Sequence, residues 1–239
     1  MQASPTTALH RSANRAIVTR LVPQVHRQFP FTISVAEDEM RLQKAVAIRA
    51  AAYGRHIPEL AMKFADADLL DRSPGVAILV AESKEDGAPL GSIRIQTNQF
   101  HPLLIEQAVD LAKQPGDVQA ELTRLCVCQQ SVGRIVKLAL FRATFQYCLR
   151  YGIDRLVIGA REPLDRQYRG LLFEELYPGR GAIPLAYANN IPHHILFLDI
   201  ETAPRRWEEA NHPMHRFLTA PDHPDIDLNR RNVVDTIFH

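Results

Sequence analysis

Residues 120–152, AELTRLCVCQQSVGRIVKLALFRATFQYCLRYG, join a strand pattern to a helix pattern. Residues 120–128 are typical of a strand, and Ser131 is placed to cap a long helix over about 132–151. Gly152 follows that helix, and glycine readily takes the left-handed conformation that ends helices. A strand joined by a short turn to a long helix indicates an α/β (α+β) fold.

The remaining elements extend this pattern in both directions along the chain. Asp38 is placed to cap a helix that ends near Tyr53, and three aspartates occur in the loop that follows it. Strands are predicted over residues 31–35, 76–82, 91–97, 153–159 and 195–200, and further helices over about 103–113 and 164–176. This succession predicts a mixed central sheet flanked by helices on both faces.

The composition predicts one folded domain with a segment on each side of it. The chain has 239 residues, 46% of them apolar and 23% charged, which excludes wholesale disorder. A basic arm is expected over residues 1–29, because four arginines precede the first acidic residue, Glu37. The main domain is expected over 30–204. An extension over 205–239 carries three prolines among polar residues, and we expect it to be partly ordered at best.

The sequence gives few indications of location or of a macromolecular partner. The formal net charge of +1 says little about partners, and we expect no nucleic-acid partner. Cys126, Cys128 and Cys148 cannot form a closed disulfide framework, which favours the cytoplasm. No apolar run near 18 residues occurs, so we expect no stable membrane insertion. The basic arm suits docking on an acidic protein or a neighbouring subunit, and it also has the composition of a transit peptide.

Polar residues occur on this scaffold in a specific order. Arg49 and Tyr53 form RAAAY, and an acidic triplet follows in DADLLD, which contains Asp66, Asp68 and Asp71. Arg94 ends GSIR, and Glu121 and Arg124 form ELTR in the strand of the opening stretch. Each motif alone is weak, whereas their order along the chain is more specific.

Over residues 36–200 this order resembles the LuxI-type autoinducer synthases, which have a GNAT-like acyltransferase fold. The chain departs from that type because its only Trp is Trp207 and because Asp66 stands where Glu is usual. The region 183–200, with PHHILFLDI, is more similar to the related FeeM-type N-acyl amino acid synthases. That resemblance implies an acyltransferase that takes its acyl group from the phosphopantetheine thioester of acyl carrier protein, less readily from acyl-CoA. It also implies an amino acid as acceptor and no tightly bound cofactor.

Amide formation requires a base, since the acceptor amine is protonated at neutral pH. Glu121 in the central strand is the candidate, directly or through a water, because burial raises the pKa of a carboxyl group. The alternative is a buried anchor that pairs with Arg94 or Arg124. In a regular strand Glu121 and Arg124 face opposite sides, so only a bulge would bring both to one pocket.

The alternating charges of Arg49, Asp68, Asp71 and Arg94 allow two compatible interpretations. Buried charges must be paired, which favours an ion-pair network that orders the loop. In the functional interpretation the aspartates hold the acceptor's ammonium group, and an arginine holds its carboxylate with two hydrogen bonds.

The donor site is predicted at the start of the long helix. GNAT enzymes that use acyl-CoA have a Q/R-x-x-G-x-G/A turn there. The corresponding residues here run from Gln130 to Ile135, and Ile135 stands where the motif has its last small residue. Gly133, Arg134 and Lys137 would suffice for a single phosphodiester, although Arg134 and Lys137 are also typical of a solvated helix face. Tyr168 lies five residues before Phe173, a spacing at which GNAT enzymes often have a proton donor for the thiolate. Otherwise Tyr168 packs on the preceding strand.

Other chemistry finds less support. Cys126 and Cys128 lack zinc spacing, and the pairs His193–His194 and His212–His215 complete no ligand set, so no metal is expected. Neither a G-x-S-x-G motif nor a Walker-type loop occurs, which favours direct attack by the amine on the thioester. An acyl-homoserine lactone synthase that uses S-adenosylmethionine, an acetyl-CoA N-acetyltransferase and a non-catalytic GNAT-like binding module remain as alternatives.

Overall fold

The computed structural model describes residues 28–56, 66–111 and 117–229. Its strands, in chain order, are β1 (Phe31–Val35), β2 (Val76–Ser83), β3 (Pro89–Thr97), β4 (Gln119–Val127), β5 (Arg155–Ala160), β6 (Glu174–Glu175), β7 (Ile183–Leu185), β8 (Ile191–Asp199) and β9 (Ile226–Asp227). They lie side by side in the order β6-β8-β5-β4-β3-β2-β1-β9, and β7 pairs with β8. The β4–β5 and β1–β9 pairs are parallel and the others antiparallel, which confirms the mixed sheet.

The helices begin and end largely where their capping residues predict. They are α1 (Glu39–His56), α2 (Gly133–Arg150), α3 (Asp165–Gly170), α4 (Ala203–Glu209) and α5 (His215–Thr219). The Asp38 carboxylate accepts the backbone N–H of Arg41 at 2.8 Å, as an N-cap residue does. Gly152 has φ +62° just after α2, which confirms the predicted end of that helix. The predicted cap at Ser131 is wrong, because α2 starts after Val132 without a side-chain cap.

Helices cover both faces of the sheet because successive β2 residues point to opposite sides. Leu79 and its alternate neighbours belong to the main core, together with α2 residues such as Leu140. Ile78 and Val80 pack on the other face in a cluster with Leu42 of α1. Each fully buried aliphatic side chain stabilises the fold by about 1.5–3 kcal/mol.

Two predicted helices are shorter than their sequence patterns indicate. Instead of a helix over 103–113, the described residues form a single 3₁₀ turn, Leu104–Gln107, in which the Glu106 side chain accepts the N–H of Leu103 at 2.9 Å. The helix predicted over 164–176 ends at Gly170, since Leu172 has φ +65° and turns the chain toward β6. There Glu174 and Glu175 pair with β8 instead of continuing the helix.

The described part of the C-terminal extension packs against the main core. Trp207 is 2% exposed, and its indole N–H donates to the carbonyl of Leu171 at 2.8 Å. Phe217 and Leu228 belong to the same core cluster, and β9 pairs with β1. Partial order at best was expected for this segment, yet two helices and a strand occur in it, and the strand ends at Asp227. The basic arm, apart from its last two residues, lies outside the described residues.

Candidate active site

The central feature is a cavity where two parallel strands separate. β4 and β5 pair only from Gln119 to Glu121 on β4 and from Arg155 to Val157 on β5. Beyond this pairing, residues of both strands line a cavity of about 210 Å³. Its polar lining includes Tyr53, Arg94, Arg124, Tyr168, Tyr187 and His193. The cavity therefore lies at the middle of the sheet, where β4 and β5 are no longer paired.

A β-bulge in β4 turns Arg124 toward this cavity. Ser92 pairs with Cys126 and Arg94 pairs with Thr123, so two β4 residues lie opposite the single residue Ile93. Arg124 has φ +58°, a left-handed conformation that is uncommon for a residue with a side chain. The bulge on which the sequence analysis made a shared pocket depend is therefore present, and Arg124 lines the cavity.

Glu121, in contrast, lies behind the cavity wall. Its side chain is 0% exposed, and it is not among the residues that line the cavity. The Tyr187 hydroxyl donates to its Oε1 at 2.7 Å, and the backbone N–H of Ile105 donates to its Oε2 at 2.9 Å. Burial raises the pKa of this carboxyl group, as expected. Glu121 is therefore anchored, but by Tyr187 and Ile105 and not by the ion pair with Arg94 or Arg124 that was the alternative.

The predicted ion-pair network is present under the loop. Nη1 and Nη2 of Arg49 bind the two oxygens of Asp71 at 2.8 and 3.1 Å, and both side chains are fully enclosed. Nη1 of Arg94 contacts Asp71 at 3.1 Å and both oxygens of Asp68 at 3.0 Å. Burial raises the pKa of Asp71, but Arg49 and Arg94 outweigh it and lower the pKa below its ordinary value. The two cations hold Asp71 ionised.

The three aspartates differ in their surroundings. Asp68 caps the 3₁₀ turn Leu69–Arg72, forms a reciprocal capping box with Asp71 and lies 3.7 Å from Nη2 of Arg124. Asp66 is exposed and has no ion pair within the described ranges. None of the three lines the cavity. Their proximity to the arginines supports the ion-pair interpretation for Asp68 and Asp71 and leaves Asp66 outside the network.

Arg94 connects this network to the cavity. Its Nε donates to the Thr123 hydroxyl at 2.9 Å, and its Nη1 is occupied by Asp68 and Asp71. Its Nη2 is buried and has no hydrogen-bond partner among the described residues, although Arg94 lines the cavity. A buried N–H group without a partner is costly, and a ligand that accepted a hydrogen bond from this nitrogen would remove that cost.

Two phenols and a thiol line the wall on the α1 and α3 side. Tyr53 forms a side-chain hydrogen bond with Arg124. The Tyr168 ring packs edge-on against Phe141 and Phe173, with ring centroids 5.6 and 5.7 Å away. Burial, with smaller contributions from Tyr53 and Cys126, raises the pKa of Tyr168, so its hydroxyl stays protonated at neutral pH. Tyr168 is therefore able to donate a proton into the cavity.

The predicted donor residues meet in a second depression at the start of α2. Gly133, Arg134 and Lys137 line it together with residues of the preceding turn. A Cβ at Gly133 would lie 2.2 Å from the carbonyl oxygen of Cys128, so only glycine fits there. Lys137 donates to Gln167 at 2.6 Å, and burial, together with Arg134, lowers its pKa. The helix N-terminus and two cations make the depression suitable for an anionic group.

Sequence reasoning missed Tyr187 as a site residue and considered His193 only as part of an incomplete metal set. Both enter the cavity because the β7–β8 hairpin folds over β5. The PHHI run predicts a strand, but nothing in the sequence indicates that this strand lies next to Gly159. Within the described part of the chain, no three His, Cys, Asp or Glu side chains cluster as metal ligands would. The described helices include none long and apolar enough to cross a membrane.

The splayed β4–β5 pair, the bulge in β4 and the glycine at the start of α2 define an acyltransferase with a GNAT-like fold. The model of the N-acyl amino acid synthase FeeM family matches residues 44–185, and the chain belongs to this family. No curated protein matches the chain.

Solved structures with the same fold include two kinds of synthase. FeeM, an N-acyl amino acid synthase from uncultured soil microbes, is 15% identical, with a TM-score of 0.58 over 75% of this chain and 96% of that chain. The CoA-dependent acyl-homoserine lactone synthase BjaI, solved with SAM and isopentyl-CoA, is 16% identical, with a TM-score of 0.58 over 83% and 93%. The AHL synthase LasI is 17% identical, with a TM-score of 0.53 over 72% and 92%. The family match makes this chain an acyltransferase.

Proposed function

We propose that this acyltransferase moves a fatty acyl group from acyl carrier protein to the amine of an amino acid. One observation carries the choice of acceptor: the unpartnered Nη2 of Arg94 in a cavity that also receives Arg124. A guanidinium nitrogen without a partner is suited to a carboxylate, which an amino acid has and a simple amine lacks.

The reaction needs little beyond proximity and proton transfer. The amine nitrogen attacks the thioester carbon, the C–N bond forms, and the C–S bond breaks. The ammonium group loses two protons in total, one to a base and one that balances the departing thiolate. Tyr168 is the proposed donor to the thiolate, since this residue lines the cavity and its hydroxyl stays protonated. Glu121 acts as a positioning residue that holds Tyr187 against the cavity.

The aspartates contribute by holding the arginines. Asp71 is fully occupied by Arg49 and Arg94, so it has no free oxygen for an ammonium group. This arrangement fixes the orientation of Arg94 and sets where the carboxylate of the acceptor binds.

Acyl carrier protein is the proposed donor because of the turn before α2. The turn departs from the acyl-CoA motif at Ile135, which stands where that motif has a small residue and packs against the main core. Arg134 and Lys137 are adequate for the single phosphodiester of a carrier. The basic arm, outside the described residues, is proposed to dock on an acidic carrier, and its deletion over 1–28 should remove the salt dependence of carrier affinity.

The proposed function is tested by mass spectrometry of products formed from acyl carrier protein or acyl-CoA thioesters and a mixture of amino acids. We expect N-acyl amino acids, formed faster from the carrier. Methylthioadenosine released from S-adenosylmethionine would instead identify a lactone synthase. No amide from any donor and acceptor pair would refute the proposal and favour a binding module.

Recognition of the carboxylate has its own test. The Arg94→Lys substitution keeps a positive charge beside Asp68 but removes the planar fork. The KM for the amino acid should rise about 10- to 100-fold, the equivalent of one charge-assisted hydrogen bond. The KM for the matching amine without a carboxylate should stay unchanged. An equal effect on both acceptors would contradict the role of Arg94.

A further inference from the structure

A histidine on β8 borders the cavity, and a hydrogen bond fixes which of its ring nitrogens carries the hydrogen. His193 lines the cavity, and its Nδ1 lies 2.6 Å from the carbonyl oxygen of Ile191. A carbonyl oxygen only accepts hydrogen bonds, so Nδ1 must carry the hydrogen. In the neutral ring Nε2 then has the free lone pair, which makes it able to accept a proton.

The absence of a side chain at Gly159 makes room for Leu185 and leaves Tyr187 and His193 next to the same residue. A Cβ at Gly159 would lie 2.6 Å from Cδ1 of Leu185, 3.5 Å from the Tyr187 hydroxyl and 3.6 Å from Cβ of His193. Tyr187 and His193 therefore lie beside the same stretch of β5 backbone, where β5 has separated from β4. Any larger residue at position 159 would occupy the space between them.

We propose that Nε2 of His193 is the base that removes the proton from the ammonium group of the acceptor. The inference rests on the proposed function, because it concerns the same cavity and the same attack on the thioester. The N–H bond of the ammonium breaks, the nitrogen keeps the electron pair for the attack, and the proton forms the second N–H of an imidazolium. That imidazolium returns the proton to solvent after the amide has formed.

The other groups in the cavity are poorly suited to this role. The side chains of Arg94, Arg124 and Arg161 are cations. Burial raises the pKa of the three phenols, Tyr53, Tyr168 and Tyr187, and raises the pKa of the Cys126 thiol to about 12. Glu121 lies behind Tyr187. Among the described residues that line the cavity, His193 alone combines a free lone pair with a neutral form at pH 7.

The surroundings of His193 keep it neutral before the reaction. Burial lowers its pKa, the bond to Ile191 partly offsets this, and the positive charge of Arg161 lowers it further. The ring is therefore unprotonated when the cationic amine arrives, and it does not repel that amine.

His193→Asn tests the proposal, because asparagine can still donate to the carbonyl of Ile191 but has no basic nitrogen. His194→Asn is the matched control: it is the next residue on the strand, it contacts Glu175 at 3.1 Å, and it does not line the cavity. At pH 7 the kcat of His193→Asn should fall about 10²- to 10⁴-fold, while the KM for the acyl donor stays unchanged. The control should keep the wild-type rate within about threefold.

The pH profile separates a base from a structural residue. Without the base, the reaction depends on the small unprotonated fraction of the amine, so the residual rate should rise about tenfold per pH unit up to the pKa of the amine. Added imidazole should partly restore the rate. Circular dichroism checks folding, and His193→Gln serves as a second variant if the first unfolds.

Three results would overturn the role of His193. A wild-type enzyme that makes amides, together with variants that keep their rate at pH 7, overturns the inference and leaves the proposed function standing. Loss of activity with an unchanged pH profile and no effect of imidazole also overturns it, since a structural residue behaves in that way. A wild-type protein that makes no amide contradicts the proposed function and this inference with it.

Discussion

Replacement of Asp71 by asparagine removes the only negative charge that the enclosed Arg49 contacts in the described structure. Asp71 accepts two hydrogen bonds from Arg49 at 2.8 and 3.1 Å and one from Arg94 at 3.1 Å. An asparagine has one acceptor oxygen, and its amide hydrogens point at cations. Breaking a buried pair in this way costs about 3–5 kcal/mol of unfolding free energy, because a charge stays buried without its partner.

Urea unfolding provides the assay, because Trp207 is the only tryptophan and lies in the core. A loss of this size corresponds to a shift of the midpoint by roughly 1–2 M urea, or to a melting temperature lower by about 6–20 °C. Asp66→Asn is the matched control in the same acidic triplet. Asp66 is exposed, so its replacement should change stability by less than about 0.5 kcal/mol.

The pH dependence gives a second readout of the same carboxylate. The pKa of Asp71 is lower in the folded protein than in the unfolded chain, so its contribution is present above the unfolded pKa, near 3.8. That contribution is lost as the pH falls through the folded value. Asp71→Asn should therefore flatten the acid side of the stability curve. An unfolding free energy within about 1 kcal/mol of the wild-type value at pH 7 would refute the ion-pair argument, because substitutions at the surface have effects of roughly this size or less.

Three further outcomes follow from the described packing. Gly133→Ala forces a Cβ to within 2.2 Å of the Cys128 carbonyl oxygen. We therefore expect the KM for the acyl donor to rise about tenfold, which corresponds to the loss of one good contact, and the KM for the acceptor to stay unchanged. Steady-state kinetics in which both constants stayed the same would contradict this. Burial raises the pKa of Cys126 to about 12, so alkylation by iodoacetamide at pH 8 should be roughly 10³ times slower in the folded protein than in urea, as peptide mass spectrometry would measure. Equal rates would contradict the burial of this thiol. A chain that stops at residue 204 lacks Trp207 and Phe217, and differential scanning calorimetry should find no cooperative transition; a sharp transition near the wild-type temperature would mean that these residues are dispensable.

The polar cluster could be predicted from the sequence because buried charges must be matched. Arg49 and Arg94 stand on either side of Asp68 and Asp71 in the chain, and the structure joins the four side chains. The order of the motifs indicated the fold, and the spacing of Glu121 and Arg124 identified a bulge as the condition for a shared pocket. The bulge is present, but of these two residues only Arg124 lines the cavity.

The position of Glu121 could not be predicted from its own strand. Its partners, Ile105 and Tyr187, are 16 and 66 positions away in the chain, and no local pattern links them. The helix predicted over 164–176 failed for a similar reason. The carbonyl group of Leu171 accepts a hydrogen bond from Trp207, and that of Leu172 accepts one from Arg206. The sequence alone does not indicate that the C-terminal segment makes these contacts. Long-range hydrogen bonds of this kind override local periodicity.

The pairing of β9 with β1 has a consequence for biosynthesis. Ile33 lies opposite Ile226, and the Tyr151 hydroxyl donates to the carbonyl of Leu228 at 3.0 Å. β1, the first strand among the described residues, therefore keeps an unpaired edge until β9 has been translated, roughly 10–40 s later at bacterial and eukaryotic elongation rates. During that interval the apolar side of α2 lacks its C-terminal cover, so nascent chains should depend on holding chaperones and should be sensitive to ribosome stalling late in the message.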